Sequence, residues 1–335
     1  GFVGKGNGMG TRSLASLLVF RAYASWRSKK ASEGGDNVHS VLALEEPESH
    51  LHPQAQRALF SHVRRVTGQR VVSTHSPYFA GQASLEDLRL FFKSNGDTVV
   101  TKVDTSPLKG DEIRKLRDTV LDTRGDILFS RGVVLFEGQT EEQALPVYAS
   151  RYWGSTIHEL GFCFVRVNGT DYFPFICLCK ALRIPWYVFA DGEPGPVRTL
   201  EAILKKAKEP KASSCANVVV LPGGNGFEGQ LLAEGYLQEI EKAIDEAEGK
   251  AKYLDDYIVR MNGKPAKKSA IRDYKTKGGR ERAAFDYLGE NKTSMAKAVA
   301  EEISASADPA RRFPKSIEQI LSILGKDNGL KKAED

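Results

Sequence analysis

The chain has 335 residues, 41% of them hydrophobic and 27% charged, with a formal net charge of +5. That length accommodates two domains with proper cores at roughly 150 residues each, and the composition excludes a disordered or fibrous chain. No apolar run approaches the ~20 residues needed to span a bilayer and the start shows no charged-then-apolar signal pattern, so a cytoplasmic location with no membrane partner is expected. The mild positive excess suits nucleic acid, but enzymes of small anions carry as much. Cys163, Cys177, Cys179 and Cys215 show no paired CxxC spacing and read as reduced core residues.

In chain order, Gly4-Lys5-Gly6-Asn7-Gly8-Met9-Gly10-Thr11-Arg12 is a glycine-rich turn. It opens a helix marked by Ala15, Leu18, Ala22 and Trp26. Such a turn offers backbone N–H groups and a positive dipole end to a phosphate, or is a plain loop. It lacks the Gly-Lys-Ser/Thr of a Walker A loop. Because the chain begins with Gly1 rather than Met and starts abruptly at this turn, it is expected to be one part of a longer protein. Val38 to Leu44 reads as a strand ending on Glu45 and Glu46, and Arg70 to Thr74 as a second, buried strand ending on His75. A strand ending in two acids can hold Mg²⁺ and polarise a water beside a nucleotide γ-phosphate, which a His after the neighbouring strand can sense. The His50-x-His52 pair is too weak a spacing to assign a metal.

This motif order, over about residues 4 to 105, resembles the second half of an ABC-type ATPase head. The resemblance makes the turn with Gly10 and Arg12 the signature motif, Glu45 the Walker B acid, Glu46 the catalytic Glu, Ser49 to His52 the D-loop and His75 the switch His. It departs from the family at Glu45, where Asp is usual, and at Asn7 or Met9, where a Ser would be expected. The Walker A half does not occur in this sequence. These residues are therefore expected to serve ATP only with an upstream half or a partner, with ATP a cofactor of the full-length protein.

Leu88 to Phe92 and Thr98 to Val103 flank Ser94-Asn95-Gly96-Asp97 and read as a hairpin closing this lobe. Asp111 to Arg124 has helical spacing and is taken as a connecting helix. Beyond it, Val133-Val134-Leu135-Phe136 ends on Glu137-Gly138, with Glu141 and Glu142 in the next helical turn, and Trp186 to Ala190 ends on Asp191-Gly192-Glu193. Unbroken apolar runs of this length suit strands buried on both faces of a parallel sheet, and open α/β sheets bind ligands at the carboxyl ends of their strands. Several carboxylates at one spot repel one another unless a cation neutralises them, which points to a divalent metal. After a further strand, Ala216 to Leu221, and a glycine turn, Glu228 is either a third ligand or a helix cap.

The Glu after one strand and the acidic pair after another resemble a Toprim domain, with Glu193 in place of the second Asp. In that resemblance Glu137 and Asp191 are the leading catalytic and metal residues, with Glu141, Glu193 and Glu228 as further ligands of two Mg²⁺ or Mn²⁺ ions. Residues 229 to 288 read as helical, with a basic cluster of Lys264, Lys267, Lys268, Arg272, Lys275, Lys277, Arg280 and Arg282 interleaved by Tyr274 and Tyr287. That cluster either tracks a DNA backbone or is a solvated helical face. Lys292, opening the helix Ser294 to Ile303, resembles the basic residue that OLD-family proteins return to their Toprim site, where it would offset charge on the phosphate.

An ABC-type ATPase head followed by a Toprim domain is the combination of the OLD (overcoming lysogenisation defect) nucleases, which the chain resembles over nearly its whole length. The expected fold is α/β: a partial ATPase lobe (1–106), a linker helix (107–130), a Toprim core (131–228), a helical insertion (229–288) and a C-terminal helical part (289–335). The resemblance implies a metal-dependent DNA endonuclease cutting by two-metal hydrolysis, a homodimer or higher oligomer through the ATPase head, and in some members a helicase partner and a role in phage defence. The alternative is a non-catalytic DNA-binding scaffold whose Toprim site is degenerate at Glu193.

Overall fold

The structure, a computed structural model, describes residues 9–34, 40–121, 123–167, 169, 171–266 and 271–333. The chain divides into two compact units, Gly1–Phe129 and Ser130–Asp335.

In the first unit, helix α1 (Met9–Glu33) precedes strand β1 (Val41–Glu45), helix α2 (Pro53–Arg64) and strand β2 (Gln69–Ser73). Pro at the first turn of α2 suits its fixed φ, and His52 caps that helix by accepting a bond from the Ala55 N–H at 3.4 Å. His52 thus serves the helix end. β1 and β2 are parallel, and their register sets Glu45 opposite Ser73. Leu42, Leu59, Val63, Val66 and Phe79 form the small core beneath them. The expected burial of the strand at 70–74 is not met in this chain. β1 and β2 pair only with each other among the described residues, which leaves Val41 57% and Val71 55% exposed.

Strands β3 (Arg89–Ser94) and β4 (Asp97–Lys102) form the expected hairpin, but as a separate two-stranded sheet that does not join β1 and β2. Its turn, Asn95-Gly96, has positive φ at both residues (50° and 90°), the type I′ geometry whose twist matches paired strands. The helix expected over 111–124 is shorter: α4 spans Gly110–Leu116 and passes into a π turn at Arg117–Leu121, which sets Val120 and Leu121 inward. Helix α3 is the single turn Pro77–Ala80.

The second unit is built on four parallel strands: β5 (Gly132–Phe136), β6 (Phe162–Arg166), β7 (Trp186–Ala190) and β8 (Val218–Val220), in the order β6-β5-β7-β8. Every residue of β5 and β7 is buried, as unalternating apolar strands in a covered parallel sheet must be. The crossovers are α5 (Gln139–Trp153), α6 (Tyr172–Leu182) and α7 (Pro194–Lys206). After β8 come α8 (Phe227–Ala233), α9 (Leu237–Glu248), α10 (Tyr253–Met261), α11 (Gly279–Glu290), α12 (Lys292–Ser304) and α13 (Lys315–Asn328). The helical reading of 229–288 needs correction at 262–266 and 271–278, which are non-helical, with a bridge between Pro265 and Ile271. Helix α12 lies against α5 and α9. Leu145, Ile240, Ile303 and Leu324 are fully buried in the shared core, each contributing about 1.5–3 kcal/mol relative to exposure. All four cysteines are free, and three of them are buried. Among the described residues no helix is long and apolar enough to cross a membrane.

Candidate active site

The carboxyl ends of β5 and β7 lie side by side because these strands pair directly, Leu135 opposite Val188. Glu137 therefore follows one central strand and Asp191 the other. α5 begins two residues after Glu137 and sets Glu141 in its first turn, the end of a helix that favours negative charge. A Cβ on Gly138 would overlap the Glu141 carboxylate, so a side chain there displaces that carboxylate. On the far side of β7, the turn after β8 leads to α8, whose first turn carries Glu228. The Gly192 N–H donates to the Asn225 carbonyl at 2.9 Å, fastening the Asp191 loop to the start of α8.

These acids share one electrostatic environment. Burial pushes the Glu141 carboxyl up to about 8, and the charges of Asp191 and Glu228 push the same way while Lys292 opposes them. Burial pushes Asp191 up to about 6, with Glu228, Glu137 and Glu193 adding to the rise. Glu137 is raised by burial and by Glu193, partly offset by the Tyr172 hydroxyl, which donates to Glu137 Oε1 at 3.1 Å. Glu228, itself buried, accepts from Thr140 Oγ1 at 2.6 Å and faces the Lys292 ammonium at 3.2 Å. Asp191 Oδ1 is buried with no hydrogen-bond partner. Among the described residues no three acidic, His or Cys side chains are already drawn together as a metal-ligand set. Buried carboxylates that raise one another's pKa, one oxygen of them unpaired, and a single ammonium among them form a donor set that a hard divalent cation would satisfy.

Of the residues singled out from sequence, Glu137, Glu141, Asp191, Glu193, Glu228 and Lys292 meet at this sheet edge. Thr140 and Tyr172 also belong to it and went unnoticed, since neither residue type nor spacing marks a hydrogen bond to an acid far along the chain. The basic cluster fares differently. Arg272 is buried, paired with Glu290 and with Asp286 at 3.4 Å. Arg280 grips Glu241 through two nitrogens and also pairs with Asp255. Tyr274 and Tyr287 are buried as well. These four hold the helical layer together; Arg272, Tyr274 and Tyr287 are buried, while Arg280 is half-buried with its guanidinium committed to acids. Lys264, Lys275 and Lys277 are exposed, while Lys267 and Lys268 lie outside the described residues.

In the first unit the His75 N–H donates to Glu46 Oε2 at 3.2 Å, and His75 Nε2 stands 3.6 Å from Glu46 Oε1. Glu46 itself has φ 42°. Glu48, overlooked in the sequence, is buried and accepts from the Thr74 hydroxyl; burial raises its pKa despite that bond. Gly10 lies in the first turn of α1, whereas residues 1–8 and the Arg12 side chain are outside the described residues.

A four-stranded parallel sheet with acids beyond the ends of β5 and β7 defines the class: the second unit contains a Toprim domain. Residues 128–192 match the family described as "Overcoming lysogenization defect protein-like, TOPRIM domain", and residues 5–80 match the AAA ATPase domain family. The chain thus carries an OLD-like Toprim domain behind an AAA-type ATPase segment. It is 30% identical over 202 residues to the OLD nuclease of Thermus scotoductus, covering 57% of this chain and 36% of that protein. It is 24% identical over 194 residues to the Old nuclease of Escherichia phage P2, covering 55% of this chain and 32% of that one. The solved C-terminal region of the Xanthomonas campestris pv. campestris OLD protein aligns with a TM-score of 0.43 at 20% identity, over 61% of this chain and 97% of that one. The chain spans about a third of the length of the curated relatives it matches.

Proposed function

We propose that the second unit is a divalent-metal-dependent DNA endonuclease, with Mg²⁺ or Mn²⁺ held by Glu137, Glu141 and Asp191 and a second ion near Glu193 and Glu228. The observation that carries this reading is the buried, unpartnered oxygen of Asp191 among acids that raise one another's pKa. When bound, such ions would lower the pKa of an attacking water and stabilise the leaving oxygen of the phosphodiester. The protein's own groups do the rest. Tyr172, kept protonated by burial, donates to one oxygen of Glu137 and leaves the other free. Thr140 fixes Glu228, and Glu228 holds the Lys292 ammonium where it would meet negative charge on the phosphate. The first unit would couple cutting to ATP in the longer protein, through Glu46 and His75, as a homodimer or higher oligomer, in some settings alongside a helicase.

The test is conversion of supercoiled plasmid to nicked and linear forms with Mn²⁺. The native chain should cut, and Glu137→Ala and Asp191→Asn should not. Equal cutting by native chain and variants, or none by any of them, overturns the reading.

A further inference from the structure

Among the described residues of the second unit, every Phe, Tyr and Trp side chain is buried or half-buried except one: Phe285, on α11, is 47% exposed. Its position is not arbitrary. A Cβ built on Gly229 would stand 3.7 Å from Phe285 Cε2, and one built on Gly226 would stand 3.7 Å from both Asp191 Oδ1 and Glu193 Oε1. Gly226 and Gly229 are three residues apart at the start of α8, so their Cβ positions are about 5–6 Å apart. The ring edge therefore lies no more than about 13 Å from the Asp191 carboxylate, along the start of α8, where the Asn225 side chain also stands. At the ~3.4 Å rise of stacked nucleotides that span is no more than about four nucleotides.

The surroundings of the ring narrow what would cover it. Its neighbours along α11 are Glu281 and Arg282, both exposed, and Gly289, above which there is open space. The ring is thus not the centre of an apolar patch on its helix, as a protein interface core would require. Phe285 lies over Gly229, and the Lys292 ammonium stands 3.2 Å from Glu228, so the ring and the site's ammonium both reach the first turn of α8. Lys275 and Lys277, both exposed, lie in the segment leading into α11. A flat, solitary, solvent-facing ring beside cations and a phosphodiester site gains most from a flat partner with an exposed π-face. An unpaired nucleobase offers one, whereas a duplex buries its base faces in its own stack.

We propose that Phe285 is a stacking platform for an unpaired base close to the scissile phosphate, so that the site takes single-stranded or locally melted DNA in preference to intact duplex. The inference rests on the endonuclease reading, yet it is tested by binding. The probe is a short oligodeoxythymidylate carrying one 2-aminopurine, titrated with full-length chain in Ca²⁺ in place of Mg²⁺ or Mn²⁺. Stacking quenches the 2-aminopurine on binding. Native chain and Phe285→Trp should quench it, and Phe285→Ala should not. Phe285→Ala should weaken binding of the single strand about 5- to 100-fold, the range of one base–aromatic stack, with duplex binding and melting temperature unchanged.

Equal quenching and affinity for Phe285→Ala, an equal loss on duplex, or no single-strand binding by the native chain overturns the proposal. So does a change of oligomeric state in Phe285→Ala by sedimentation, which would make the ring a protein contact. Failure of plasmid cutting by a native chain that still binds and quenches the probe would remove the endonuclease reading alone.

Discussion

Glu141→Gln should make the metal-free protein less sensitive to alkaline pH while removing its response to metal. Glu141 is pushed from its ordinary 4.5 up to about 8. Between those values the native state keeps a proton that the unfolded chain has lost. Native stability from this group is therefore complete below about pH 4.5 and is lost as pH rises through about 8. At ~1.4 kcal/mol per unit the loss is on the order of 5 kcal/mol. Asp191, pushed from 3.8 to about 6, adds a smaller loss at lower pH. The two do not simply sum, because each rise contains the repulsion of the other. For a unit of about 200 residues, roughly 2–4 °C per kcal/mol puts the difference between pH 5 and pH 9 at about 10 °C or more. Gln has the shape of the protonated acid and cannot ionise. The assay is thermal melting in EDTA across that range, followed by emission from Trp153 and Trp186, with alkaline losses common to both proteins cancelling in the comparison. Mn²⁺ at pH 9 should restore the native chain, since an ion that binds only the folded state stabilises it, and should leave Glu141→Gln unmoved. Identical pH dependence in the two proteins would refute the account of Glu141 as a buried acid awaiting a cation.

Tyr172→Phe removes the hydrogen bond that lowers the Glu137 pKa, so the acid limb of the cleavage profile should move to higher pH and metal affinity should fall roughly 10-fold; an unmoved limb counts against a positioning role. Gly138→Ala suits the local backbone, φ −84° and ψ 151°, but sets a methyl on the Glu141 carboxylate; Mn²⁺-dependent cleavage should drop about 10- to 100-fold with melting little changed. Arg272→Ala removes the cation from Glu290 and Asp286, each part-exposed and each still accepting from a Tyr hydroxyl, and should cost about 1.5–3 kcal/mol in denaturant melts, whereas Lys275→Ala should leave stability within about 0.5 kcal/mol and flatten the salt dependence of DNA binding.

The parts of the fold legible in the sequence are those whose cause is local. β5 and β7 announced themselves as unbroken apolar runs, and the acids just beyond them had to lie at one sheet edge once the strands were parallel. The Asn95-Gly96 turn was legible for the same reason, since two residues with positive φ need that chemistry. β1 and β2 carry runs of the same kind, yet half their surface faces outward, because burial depends on what covers a strand and not on the strand itself. Arg272 and Arg280 read as either a phosphate track or a solvated face because their carboxylate partners are 18 and 39 residues away. Tyr172 reaches Glu137 across 35 residues and Thr140 reaches Glu228 across 88. Hydrogen bonds at such separations leave no periodicity to find.

The same non-locality explains the helical segment between Glu228 and Lys292. These two residues meet at 3.2 Å although α9, α10 and α11 intervene, so the excursion must return the chain to its starting point. What returns it is the packing of α12 against both α5 and α9, with Leu145, Ile240, Ile244, Val299 and Ile303 sealed in one core. α5 supplies Thr140 and Glu141, α8 supplies Glu228 and α12 supplies Lys292, so the apolar contacts that stabilise the unit also set the spacing of its charged groups. Side chains held by helices in a close-packed core move little, which suits chemistry that depends on where charge stands. The ion pairs of buried Arg272 and half-buried Arg280 then have a structural use. They tie α10 and the 271–278 segment to α11, the helix whose end delivers Lys292.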